Sequence, residues 1–533
     1  AERQAEAQRQ AEAERQAEAE RQAEAERQAE AQRQAEAERQ AEAERQAEAE
    51  RQAEAQRQAE AERQAEEAKS ERIAMLMHEG RNQLAAQQYA EAAESFDRAI
   101  EEDPNLQEAY TLGARAWWEK DRDNPQNRAT ALNKTRKAAE LNPKDAHAYG
   151  IQGEIYEYEG KVDEAIKAYE TSLSLAPNNA RYLMSLGVLY YRQKQFAKAA
   201  AAFTSAWDAD PKMAKAGYNA GVAYLNAGMS HQAEEILTRV VAADPQNGTV
   251  HIALGSALER NGKTAQAIES YKNGYNCSAA VSQKADAAAK AGVLYFNEGN
   301  YADAEIWLNN SLIVAKEPKT EHNLARVYVE QGRAAEALPY ARAAADTELQ
   351  NAVYAFTLAQ AFEAAGETES AVSSYQKAVE LNPGYLDAMV NLGALYDRLQ
   401  RYAEAESILK TAVAEDESNF EAWNNLGNVY YHQKKNDAAV DAYGKARALR
   451  PDDTTVIYQT ALACFDAGRI ADAEKAFLDL IEADPQNAEA YNDLGNLYFQ
   501  AGEIDKAKDC YRKVLEINPR HPNRSRIEQR IYQ

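Results

Sequence analysis

Cysteine is scarce in this chain. Cys277, Cys464 and Cys510 are the only three in 533 residues. An odd number placed so far apart makes neither a disulfide framework nor a metal-ligand spacing. Free thiols are expected, and no metal or other cofactor. No apolar run approaches the roughly 20 residues that a membrane-spanning helix needs, so no transmembrane segment is expected. Positive charge is also short: 61 Lys and Arg stand against 86 Asp and Glu, a formal net charge of -25. That balance disfavours nucleic acid and anionic membrane surfaces as partners. The first residue is Ala1 rather than methionine. A processed, exported chain and a fragment both stay open, as do a periplasmic and a cytoplasmic location.

Catalytic patterns are missing as well. There is no Gly-x-Ser-x-Gly and no metalloprotease signature, and no two of the seven histidines pair at a metal spacing. "ALERNGKT", residues 257–264, matches a relaxed phosphate-binding loop by letter. Such a loop needs a strand before it and a helix N-terminus after it. Here Gly262 and Lys263 fall between two helical patterns, so nucleotide binding is not expected. The chain reads as a non-enzyme.

What the chain does have is repetition. Residues 1–66 are eleven copies of a hexamer, "AERQAE", with "AQRQAE" in three of them. Every residue type in it is a good helix former. A hexamer advances about 600° around a helix with roughly 3.6 residues per turn, so no a/d seam forms. A lone or loosely associated helical spacer is expected over residues 1–72, with about 100 Å in its hexamer part. A coiled coil and disorder are the lesser alternatives for this low-complexity segment.

From residue 73 a second period takes over. "LGVLYYRQKQFAKAAAAFTSAWDADP", "LGNVYYHQKKNDAAVDAYGKARALRP" and "LGNLYFQAGEIDKAKDCYRKVLEINP" share one frame. A marker alanine recurs thirteen times from Ala92 to Ala507 at a nearly constant interval. A Gly or Ala precedes it in every copy, from Gly80 to Gly495. An aromatic follows it by four in many, as at Tyr169, Tyr375 and Tyr443, and a proline closes most, as at Pro451. The body from 73 to 519 resembles the tetratricopeptide repeat family, whose helix-turn-helix unit has a period of about 34 residues. The resemblance implies an all-α, right-handed α-solenoid, because one repeat cannot bury its own apolar face. Residues 520–533, with Ile527 and Ile531 four apart among arginines, suit a capping helix with a wet outer face. Extra residues at 119–128 predict a longer inter-helix turn, and the irregular stretch 273–350 marks a place for a bend.

Let the small residue be position 8 of each repeat. Positions advance about 100° each, which gathers 4, 7, 8 and 11 on one face and 2, 5, 6, 9, 12 and 13 on the other. In the family that second face lines a groove. Position 6 then reads Asn219 in the fifth repeat and, from the eighth onward, Asn323, Thr357, Asn391, Asn425, Gln459 and Asp493. Asn424, Asn428, Asn492 and Asn496 fall on or beside the same face. The run is similar to the asparagine ladder of O-linked N-acetylglucosamine transferase repeats, which implies a grip on extended peptide. A carboxamide donates and accepts at once, so it holds any sequence. Towards the N-terminal end the groove is expected to carry the apolar residues Trp118, Met184, Tyr191 and Tyr218. Its acidic C-terminal end favours a basic or neutral partner segment.

The resulting expectation is a non-enzymatic protein–protein interaction scaffold that binds extended peptides or partner helices. Two alternatives remain: a structural or tethering part of a bacterial envelope, secretion or motility assembly, and the repeat region of a larger glycosyltransferase-type enzyme. Partner identity and oligomeric state are left open.

Overall fold

Small residues and turn residues, placed in register, generate the architecture. The computed structural model describes residues 2–278 and 280–532. Among these residues lie 27 helices and no strand. They are thirteen pairs, helix A then helix B, followed by a last helix, Arg524–Tyr532. Within 1–216 and within 217–533, two compact units, helices pack chiefly on their neighbours in the chain. In each unit the pairs form an all-α solenoid of stacked repeats.

The first helix, Glu2–Ala85, carries the hexamers straight into helix A of the first repeat. With a rise of about 1.5 Å per residue, a helix of this span extends about 126 Å. It buries only Leu76, Met77 and Gly80, all at the repeat end.

Repeat 11 shows how one unit is made. Helix A is Phe420–His432 and helix B is Asn436–Leu449. Asn419 caps helix A by accepting from the Ala422 N–H. Helix A ends in a Schellman turn. The Lys435 N–H reaches Tyr430 O at 2.9 Å, while Lys434 takes the left-handed conformation with positive φ. That left-handed position recurs in twelve of the thirteen repeats. Glycine holds it at eight, from Gly160 to Gly502, and Gln87, Lys194, Gln400 and Lys434 hold it at the others. Gly262 of the "ALERNGKT" stretch is one of these turn glycines, with no strand before it among the described residues.

Helices A and B meet where position 8 has no bulk. A Cβ on Gly427 would lie 2.5 Å from the Tyr443 ring, and one on Gly153 or Gly187 2.6 Å from Tyr169 or Phe203. The residue four after the marker alanine therefore lies over the small residue of its own repeat. Where the aromatic is missing, Leu237, Leu308 and Leu409 press on Gly221, Gly292 and Gly393 in the same way.

The irregular places are absorbed by helix length. The second repeat spends its extra residues on a longer turn and on a long helix B, Pro125–Leu141. Helix A of the seventh repeat lengthens to Val281–Asn297, and Pro339 sits inside helix B of the eighth. The boundary between the compact units falls at 216/217, ahead of this stretch.

A left-handed backbone costs a side-chain-bearing residue about 1–2 kcal/mol. Lys434→Gly is expected to raise the thermal unfolding midpoint. Gly366→Ala, at another of the positive-φ turns, is expected to lower it. Shifts of the same sign in both variants would contradict this reading of the turn.

Candidate interaction wall

The A helices touch one another through the positions numbered 5, 6, 9, 12 and 13, and their side chains form rungs between successive repeats. Position 12 of one repeat reaches position 13 of the next. Glu363 pairs with Arg398, Asp397 with His432 at 2.9 Å, and the Tyr431 hydroxyl donates to Asp466 at 2.8 Å. Position 5 of the twelfth repeat, Tyr458, donates to Asp493 at 2.8 Å. These bonds define one continuous polar wall along repeats 9 to 13.

The expected amides divide into two kinds. Asn428 Oδ1 accepts from the Tyr443 hydroxyl at 2.8 Å and from Gln459 Nε2 at 2.9 Å. Asn496 Oδ1 likewise accepts from Tyr511 at 3.0 Å and from Arg530. Asn492 is buried and donates to Asp493. The Asn391 amide reaches the Tyr375 hydroxyl. These four are joined to the chain. Asn424 and Gln459 differ. Gln459 is oriented by its bond to Asn428, and its Oε1 and the Asn424 Oδ1 are buried without a hydrogen-bond partner among the described residues. Asn425 lies half-buried beside them and takes no part in these bonds. Asn323 is half-buried on the eighth repeat and Asn219 on the fifth.

Asp493 accepts three hydrogen bonds, from Tyr458, Asn492 and Asn496. Burial still holds its carboxyl above the ordinary range, with Glu489 adding to the effect. Tyr431 is pushed up to about 12, by burial first and then by Asp466. Asp466, Glu489 and Asp493 thus gather at the C-terminal end of the wall, with Arg530 against Asn496.

The apolar candidates of the N-terminal repeats part company. Trp118 is 2% exposed. Its Nε1 donates to Glu154 at 3.0 Å and its ring meets Tyr158 edge-on at 5.5 Å. It is a packed side chain, not an exposed lining residue, because Glu154 supplies a buried acceptor. Met184 and Tyr218 are half-buried, and Tyr191 is exposed against the edge of Phe196.

Two features are not legible in the sequence at first reading. Arg115 and Glu154, both at position 9, form a buried ion pair at 2.6 Å, with Tyr182 and Arg181 against it. The helix-B tyrosines also reach through to the wall. Tyr169, Tyr271 and Tyr375 donate to Glu157, Glu259 and Glu363, each earlier in the same repeat. The signal is present in the pattern: tyrosine stands where position 12 is Glu or position 9 is Asn. Phe203 and Phe477 stand where position 9 is Val188 or Leu462. The last helix also departs from expectation. Ile527 is buried as expected, but Arg530 enters the wall, stacking on Phe499 at 4.5 Å.

Comparison with known proteins places these repeats. A model described as the Cytochrome c-type biogenesis protein H TPR domain matches residues 400–525. Two models described as Tetratricopeptide repeat match 152–214 with 322–385, and 190–258 with 363–427. Human Protein O-mannosyl-transferase TMTC1 is 25% identical over 158 residues, 29% of this chain and 18% of that protein. BBSome complex member BBS4 of Bos taurus is 26% identical over 191 residues, 30% of this chain and 37% of that protein. The chain therefore spans well under half of either relative. Among solved structures, YrrB, described as a TPR protein with an unusual peptide-binding site, is 23% identical. That match covers 36% of this chain and 97% of YrrB, with a TM-score of 0.33.

Removing a partner from buried hydrogen-bonding groups costs about 1–3 kcal/mol. Asn428→Ala, which orphans Tyr443 and Gln459, is expected to lower the denaturation midpoint clearly. Asn425→Ala is expected to change stability by no more than about 0.5 kcal/mol, the range typical of surface substitutions. Equal effects would remove the distinction between the two kinds of amide.

Proposed function

Since the chain belongs to the tetratricopeptide-repeat family, we propose that it is a protein-interaction scaffold whose A-helix wall holds an extended polypeptide segment across repeats 8 to 13. The observation that carries this reading is the pair of buried, unpartnered amide oxygens, Asn424 Oδ1 and Gln459 Oε1. A buried acceptor without a donor is costly, and each bond made to it contributes about 0.5–1.5 kcal/mol net. Either amide turns outward to meet the backbone N–H groups of an extended segment, the donors that suit it. Affinity then comes from several such bonds together, and the carboxylates at the C-terminal end favour neutral or basic segments.

The exposed helix that precedes the repeats favours a second reading, in which the scaffold is also a tether. A helix of this length with no buried face sets the repeats at a distance from whatever holds its other end. Deletion of residues 1–66 tests it: function in the cell is lost while peptide binding persists. A fully functional deletion rejects the tether. The transferase name belongs to TMTC1, of which this chain spans 18%. A third reading, as the repeat region of a glycosyltransferase-type enzyme, would require a catalytic domain outside the residues described.

The peptide reading is tested by selecting extended peptides from a random display library on the intact chain. They are then measured against the triple variant Asn323→Ala, Asn424→Ala, Asn425→Ala. Loss of at least tenfold in affinity, with an unfolding midpoint close to the parent's, is expected. Affinity unchanged by the three substitutions would refute the wall as the binding surface.

A further inference from the structure

A second candidate surface lies on the other side of the same helix. Asn424, Asn425 and Asn428 occupy one face of Phe420–His432. Trp423, Leu426 and Tyr430, on the opposite face, line a cleft of 340 Å³ between the B helices Tyr402–Glu415 and Asn436–Leu449. That volume is at the lower end of the roughly 300–1,000 Å³ of ligand pockets. It has room for one large side chain.

The repeat supplies its own control. The same cleft exists one repeat earlier, lined by eight of the nine equivalent positions, with a volume of 290 Å³; Met389, at the ninth, is buried outside the lining. There Glu404 and Ile408 stand where repeat 11 has Ala438 and Ala442, and Gln376 and Thr411 stand where it has Lys410 and Lys445. Trp423 takes the position of Met389. Among the thirteen copies, only repeat 11 has alanine at the residue before the marker alanine. The later cleft is therefore wider, walled by Trp423 and Tyr430, and edged with lysine.

The charge at the rim points the same way. Lys410 and Lys435 both lie 5.8 Å from the centre of the Tyr430 ring. Glu406 holds both of them, at 2.6 and 2.8 Å. With Lys445 the rim has three ammonium groups against the carboxylates of Glu406 and Asp441, a local positive excess in a chain of net charge -25. An apolar floor under a cationic edge is complementary to an apolar side chain carried between acidic ones.

We propose that this cleft is a docking site for a partner protein that inserts one aromatic or large aliphatic side chain flanked by carboxylates. It is separate from the amide wall and does not depend on it. A single anchor of this kind binds weakly alone. Together with a segment on the wall it would raise the overall affinity of a partner that reaches both sides.

The test uses a fluorescein-labelled peptide, Glu-Asp-Glu-Phe-Asp-Glu, and fluorescence anisotropy with the intact chain. The informative variant is Trp423→Met, Ala438→Glu, Ala442→Ile, which transplants the lining of the preceding repeat and so uses residues that already pack in this frame. Saturable binding is expected, at least tenfold weaker on the triple variant and on the parent when Phe is replaced by Gly. Binding should weaken as salt rises and stay unchanged in Asn425→Ala. A thermal midpoint of the triple variant near the parent's confirms that it has folded. Should it not fold, the Phe-to-Gly peptide and a Lys-for-acid peptide decide on the parent alone. No saturable binding, equal binding to the transplanted cleft, or equal binding of the Lys-substituted peptide would each overturn the proposal. Self-association abolished by the transplant, with no peptide binding, would assign the cleft to a second copy and overturn it as well.

Discussion

The close approach of helix A to helix B, at a residue with almost no side chain, governs everything else in this chain. Glycine or alanine at position 8 lets a large side chain of helix B lie flat across helix A. Close packing of that kind leaves little tolerance for added volume. Repeated in eleven of the thirteen repeats, with Thr135 and Ala341 at the covering position of the other two, it fixes the rotation of helix A about its own axis. Only with that rotation fixed do positions 6, 9, 12 and 13 of successive repeats fall in line. The wall of amides, tyrosines and carboxylates is thus a consequence of a steric contact on the far side of the helix.

The same contact explains why tyrosine is used so often at the covering position. Its ring satisfies the packing requirement and its hydroxyl emerges on the wall, where Glu157, Glu363 or Asn428 accepts from it. A buried hydroxyl needs such a partner. Each of these residues joins core to wall, and in repeat 11 the bond continues through Asn428 to Gln459 of the next repeat. The orientation of Gln459 is thus set through Asn428 by Tyr443, a core residue of the preceding repeat.

The helix pairs and the turns are legible in the sequence because both depend on residue size at fixed spacing. The small residue, the marker alanine and the closing proline recur in one frame, and Gly160 or Gly502 announces its turn by composition alone. Lys194, Gln400 and Lys434 at the same turn position give no such sign, yet they adopt the same backbone because the flanking helices dictate it. Within the candidate wall, the face of each asparagine follows from helix geometry. Its bonding does not. Asn425 and Asn428 look alike in sequence, but only Asn428 has a tyrosine and the next repeat's glutamine within reach. Trp118 escapes the pattern for a related reason: its buried acceptor, Glu154, comes from the following repeat. The last helix carries the frame one rung further, so that Arg530 stands against Asn496 much as Gln459 stands against Asn428.

The steric contact at position 8 can be examined with one substitution made at two glycines of the same repeat. A Cβ on Gly427 would meet the Tyr443 ring at 2.5 Å, whereas one on Gly444, inside helix B, would meet nothing within 4 Å. Leucine is intrinsically a better helix former than glycine by roughly 0.5–1 kcal/mol, so propensity alone favours both changes. The thermal unfolding midpoints of Gly427→Leu and Gly444→Leu, compared with the parent, are predicted to move in opposite directions, the first well down and the second up. A rise in both would show that the helices do not depend on close approach at this position.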